Sequence, residues 1–107
     1  MNLAFIQSCL QAQNYRMTKH ARLVMAERGI MTTMIEKAVE FGEIIEREPD
    51  DQPYPSVLIL GWLESGDPLH IKCSKSPEAP NLRIVTVYEP DDAKWESDYK
   101  TRKRKAR

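Results

Sequence analysis

Among 107 residues there are two histidines, His20 and His70, and each stands beside basic side chains. An imidazole with an ordinary pKa of about 6.5 can hold or release a proton near neutrality, so two of them can divide acid and base work. Cleavage of an RNA phosphodiester by its own 2′-hydroxyl asks for that division. A base takes the hydroxyl proton, an acid protonates the leaving 5′-oxygen, and a cation stabilises the phosphorane between them. Cations are at hand in Thr18-Lys19-His20-Ala21-Arg22 and in Arg28, with Lys72 two residues beyond His70. On a helical projection Arg28 falls near the middle of the stripe made by Ala21, Val24 and Met25. A guanidinium there either finds a buried partner, faces phosphate at a groove edge, or caps the last helical carbonyls beside Gly29. Arg22 points to the opposite face, with Lys19.

No other chemistry has a comparable pattern. Cys9 and Cys73, with the two histidines, lack the spacing of a zinc site. There is no Gly-rich phosphate loop, so no metal and no cofactor is expected. The cysteines read as two reduced, partly buried thiols. Charge is segregated along the chain. Arg16, Lys19, Arg22 and Arg28 face one acid, Glu27, and make a side that could hold phosphates. From Glu36 to Asp51 seven acids face Lys37 and Arg47, a side suited to a basic partner protein.

The elements that must position these groups follow from periodicity. Residues Asn2 to Gln13 carry Leu3, Ile6 and Leu10 at helical spacing. Asn14 to Met17 is a connector or a short edge strand. Thr18 caps a helix over Lys19 to Arg28, stopped by Gly29, and Thr33-x-x-Glu36 is a capping box for a helix that runs to Phe41. Beyond Gly42 four strands are predicted, Glu43 to Glu48, Ser56 to Leu63, Leu69 to Lys75 and Leu82 to Glu89, separated by Pro- and Gly-containing turns. Connections this short join antiparallel neighbours. Asp91 then caps a helical turn carrying Trp95. The fold class is α+β, with N-terminal helices packed on one face of a four-stranded antiparallel sheet. Alternation turns Leu69, Ile71 and Cys73 inward and leaves His70, Lys72 and Ser74 on the other, open face.

Length and composition agree with one domain over residues 1–98 followed by a basic tail, 99–107. With 41% hydrophobic and 30% charged residues the chain is neither disordered nor a membrane protein. Its start lacks the flank and apolar stretch of a signal peptide, so a cytoplasmic location is expected. The net charge of zero hides a split. Six of the 16 basic groups lie after Asp98, leaving ten against 16 acids, a net of −6 over residues 1–98. An acidic body is not the even positive field of a general nucleic-acid binder, so RNA would be held by a local patch. Lys100 and Arg102 in the tail would add phosphate contacts.

Several strings, in order, resemble a small bacterial family, domain of unknown function 4258. They are Thr18-Lys19-His20-Ala21-Arg22, Glu27-Arg28-Gly29-Ile30, Gly42-Glu43-Ile44-Ile45-Glu46, Asp51-x-Pro53-Tyr54-Pro55-Ser56, Leu58-Ile59-Leu60-Gly61, Pro68-Leu69-His70-Ile71 and Ile84-Val85-Thr86-Val87-Tyr88-Glu89-Pro90-Asp91 through Lys94-Trp95. The resemblance runs from about Tyr15 to about Arg102. Met31 departs from it, standing where the family usually has a polar cap. What the resemblance implies is a RelE/ParE-like toxin fold, related to metal-independent ribonucleases, encoded beside an antitoxin with a YgiT-type zinc finger. Carried over by position, His20, Arg22, Arg28 and His70 match the polar motif residues, with Tyr88 ending the last strand. The expectation is therefore an RNA endonuclease of a toxin–antitoxin pair, cutting single-stranded or ribosome-held RNA without metal. His20 and His70 form the acid/base pair, Arg28 (Arg22 as the alternative) neutralises the phosphate, and Tyr88 positions a base or phosphate. Lys19, Arg22, Lys72, Lys100 and Arg102 hold the backbone. The competing expectation is a non-catalytic protein-binding module, or a ParE-like toxin acting on a protein, for which both histidines are dispensable.

Overall fold

The computed structural model describes residues 1–104. Its elements are α1 (Leu3–Gln11), β1 (Tyr15–Met17), α2 (Lys19–Arg28), α3 (Thr32–Glu40), β2 (Glu43–Glu48), β3 (Ser56–Trp62), β4 (Pro68–Lys75) and β5 (Leu82–Tyr88). The class is α+β, but the sheet has five strands in the order β1-β5-β4-β3-β2. Strands β2 to β5 form the antiparallel meander that their short turns require. The fifth strand, β1, adds to β5 in parallel. A three-residue strand carries almost no periodicity, and β1 reaches its partner through most of the chain, so no turn length sets its direction.

Residues from all three helices share one core with the inner face of the sheet. Ile6, Leu10, Ala21, Met25, Ile35 and Val39 meet Ile59, Leu69, Ile71, Ile84 and Val87. The helix α2 starts where Thr18 Oγ1 accepts from the Ala21 N–H at 3.0 Å and donates to the Val85 carbonyl at 2.8 Å, tying the helix to β5. It ends at Gly29 in the left-handed region, φ +67°. The capping box expected at Thr33 is not formed. The helix begins at Thr32 with Met31 as its N-cap, two residues before Thr33, and Glu36 instead accepts from the Tyr15 hydroxyl at 2.8 Å. Gly61 marks the closest approach of β3 to α3, where an added Cβ would lie 2.5 Å from the Ala38 carbonyl oxygen.

The opposite face of the sheet is not open along its whole length. Residues 90–104 leave β5 and fold back across it as a strap. Trp95 is 2% exposed beneath this strap, and Leu58 and Leu60 are buried as well. Burying an indole contributes on the order of 4 kcal/mol, and the hydrogen bonds and ion pairs of the strap add to it. The basic tail is thus docked at least as far as Lys103, whose N–H reaches the Lys94 carbonyl at 2.9 Å. Lys105 and Arg107 lie outside the described residues.

Candidate functional site

Register places the polar residues of the helix-free face in three rows. The first is Glu43, Leu60, His70 and Tyr88; the second is Glu46, Leu58, Lys72 and Thr86; the third is Glu48, Ser56, Ser74 and Arg83, extended by Arg16 on β1. Each row begins with a carboxylate on β2 and ends in hydrogen-bonding or basic groups toward β5 and β1. A cleft of about 220 Å³ opens over the second row, lined by Glu46, Glu48, Lys72, Thr86, Tyr88 and Arg102.

The rim of the cleft carries an imidazole. His20 lies in the first turn of α2, exposed, with Nε2 3.1 Å from the Thr86 hydroxyl oxygen. The fixed start of α2 against β5 puts it there. Lys72, half-buried on the cleft floor, pairs with Asp51 at 2.8 Å, and Ser56 donates to the same carboxylate oxygen at 2.6 Å. The Lys72 hydrogen bond, and then that of Ser56, hold the Asp51 carboxyl below the usual carboxylate range. At the far wall Arg102 forks onto Glu46, with Nε–Oε2 at 2.7 Å and Nη2–Oε1 at 2.9 Å.

His70 is brought near the cleft but not into it. The first row runs under the strap, and the ring is 0% exposed. Trp95 meets it edge-on at 4.4 Å, and Tyr88 at 5.2 Å. Its Nε2 lies 2.8 Å from the Tyr99 carbonyl, so that nitrogen carries the proton. Nδ1 then accepts from the Tyr88 hydroxyl at 3.2 Å. Burial pushes the His70 pKa down, against the opposing effects of the Tyr99 carbonyl and Glu46. Burial also pushes the Tyr88 phenol up. A neutral imidazole with both nitrogens occupied is a cross-link between sheet and strap, and while the strap is closed it meets no substrate. The expected open His70–Lys72 face is corrected accordingly: Lys72 is half-buried, and Ser74 is 2% exposed. Strand alternation decides which face a residue takes but not what covers that face.

The remaining expected residues do not converge on the cleft. Arg28 is exposed at the last position of α2 rather than turned to the core, because the apolar stripe passes from Met25 across Gly29 to Ile30. Eight residues of helix separate it from His20, about 12 Å along the axis. Lys19 and Arg22 are exposed on α2 and neither lines the cleft. Lys100 pairs with Glu43 at 2.8 Å. Of the nine residues expected to act, His20, Lys72, Tyr88 and Arg102 gather around one opening. Thr86 and Glu46 were missed. The alternation of β5 marks Thr86 as a companion of Tyr88, but nothing local marks the Glu46–Arg102 pairing, which spans 56 positions.

Among the described residues no group of three or more His, Cys, Asp or Glu is placed to hold a metal ion. Cys9 and Cys73 are free and buried, and burial raises the Cys73 thiol to about 12. Among the described residues no helix is long and apolar enough to cross a membrane.

Among the described residues, three helices on one face of a five-stranded mixed sheet, with a polar cleft on the face that the strap partly covers, define a small α+β domain. The chain belongs to the family described as domain of unknown function (DUF4258), whose model matches residues 17–89, from β1 to the end of β5. No curated protein and no solved structure matches it. The strap follows the matched segment.

Proposed function

We propose that the chain is a metal-independent RNA endonuclease of toxin type, with a RelE/ParE-like arrangement of helices and sheet, working at the cleft over Lys72 and Thr86. The observation that carries the reading is the exposed His20 imidazole, held by Thr86 on the rim of a cleft that also contains a lysine, an arginine and a tyrosine. A single-stranded RNA lies across the opening, one phosphate taking the Lys72 ammonium from Asp51 while the Tyr88 ring flanks a base. His20 removes the proton of the 2′-hydroxyl. O2′ bonds to phosphorus, the P–O5′ bond breaks, and the 5′-oxygen takes a proton from solvent water in the open cleft as it leaves, giving a 2′,3′-cyclic phosphate and a 5′-hydroxyl. A cognate antitoxin with a YgiT-type zinc finger belongs to the same reading, on the strength of the sequence resemblance. The test is cleavage of a labelled single-stranded RNA by the purified chain in the presence of chelator. His20→Ala should lower the rate by about 100-fold or more; cleavage unchanged by that substitution refutes the mechanism.

A second reading, a non-catalytic protein-binding module, is favoured by a different observation. Phe41 is 86% and Trp62 45% exposed, and both line a groove of about 600 Å³ with Met34 and Leu63. Glu40 and Glu64 stand on its rim, Glu64 paired with Lys37. RNA left intact by wild-type protein that captures a neighbouring gene's product would decide for it.

A further inference from the structure

The strap is basic where it crosses an acidic strand. Lys100, Arg102, Lys103 and Arg104 follow Asp98 with no acid among them, and β2 presents Glu43, Glu46 and Glu48 on the same face. Two of these carboxylates hold the strap, Glu43 through Lys100 and Glu46 through the fork of Arg102. Arg102 in turn lies 4.6 Å over the Trp95 ring, and the strap closes on itself through the Trp95–Arg102 bridge and a 2.9 Å bond from the Lys103 N–H to the Lys94 carbonyl. The guanidinium that grips Glu46 is therefore the group that keeps the indole on His70. Under the strap, His70 sits one row from Lys72 and Thr86, about 7 Å along the strand. Lifting the strap would put a second imidazole on the face where His20 already stands.

We infer that residues 90–104 are an electrostatically latched cover over His70, and that the carboxylates of β2 occupy the cations which the phosphates of a single-stranded RNA would otherwise take. An RNA that competes for Lys100 and Arg102 unlatches the cover and admits His70 to the face. This rests on the RNA reading above for its ligand, but not on cleavage. Phosphates are strong acceptors for arginine, and an RNA offers many of them in series, whereas Glu43 and Glu46 offer one carboxylate each. The latch is closed by contacts at the rim, where salt and competing anions reach it.

The test follows the reactivity of His70 toward diethyl pyrocarbonate in the full chain at low salt, resolved from His20 by mass spectrometry of peptides. His70 should react at least tenfold more slowly than His20. Glu46→Gln should accelerate His70 about two- to fivefold, the span of one partly exposed ion pair, and Glu46→Asp, which keeps the charge, should accelerate it less. A 20-residue oligouridylate should accelerate His70 in the wild-type chain, and 0.5 M salt should do the same without RNA. His70 reacting as fast as His20 in the untreated protein overturns the cover. Indifference of His70 to Glu46→Gln overturns the latch, and indifference to the oligonucleotide overturns the competition. RNA cleavage is not read in this experiment. A cover that opens on a protein that cuts nothing would therefore refute the proposed chemistry and leave the latch standing.

Discussion

Replacing His70 by glutamine isolates what the buried imidazole contributes to stability. In the folded chain burial holds the ring neutral, with its pKa below the ordinary 6.5. The unfolded chain has no such restraint. As pH falls below 6.5 the unfolded state binds a proton that the native state refuses, so stability declines on acidification and is fully present above that value. For one group the loss between pH 7.5 and pH 5.5 is at most about 1.4 kcal/mol. For a domain of this size that ceiling is a fall in Tm of about 5–10 °C. The carboxyls of Asp51, Glu64 and Asp98 are held below the usual range, so they protonate at still lower pH and stay out of this window. Glutamine can still donate to the Tyr99 carbonyl but loses the contact with the Tyr88 hydroxyl and the edge-on packing of Trp95. His70→Gln should cost about 1–3 kcal/mol at pH 7.5 and should flatten the acid slope. Urea denaturation of both proteins at the two pH values measures this, and His20, present in each, cancels in the comparison. An equal slope in wild type and variant would refute the account of His70 as a neutral buried cross-link.

Other substitutions probe the scaffold that places the cleft. Gly61→Ala forces a methyl against the Ala38 carbonyl oxygen and should destabilise by about 2 kcal/mol, read by thermal unfolding. Thr18→Ala removes both the cap of α2 and its bond to the Val85 carbonyl, a loss of about 1–2 kcal/mol in urea. Because that bond also holds His20 over Thr86, the same variant should weaken RNA cleavage beyond what stability explains, measured well below its unfolding midpoint.

Much of this architecture was legible in local patterns. The helix α2 announces itself by Thr18 and Gly29, and the four meander strands by their alternation and by the Pro- and Gly-containing turns between them. Those signals act within a few residues, and they place His70, Lys72 and Tyr88 on one side of the sheet. The same kind of signal misled at Arg28, where a helical projection counts a stripe past the point at which the helix ends. It also misled at Thr33, whose box lost Glu36 to the hydroxyl of Tyr15, a partner from another element.

What the chain alone determined is the class of the fold, the order of its elements and which side of the sheet each chemical group takes, because backbone sterics and turn geometry are local. Whether a group reaches solvent was decided by tertiary structure. His20 stays exposed because α2 starts at the edge of β5. His70 is enclosed because a segment 20 residues further on returns to cover it, drawn by an indole that needs burial and by arginine and lysine side chains that meet the glutamates of β2. Those encounters join residues up to 57 positions apart, and no periodicity spans such a distance.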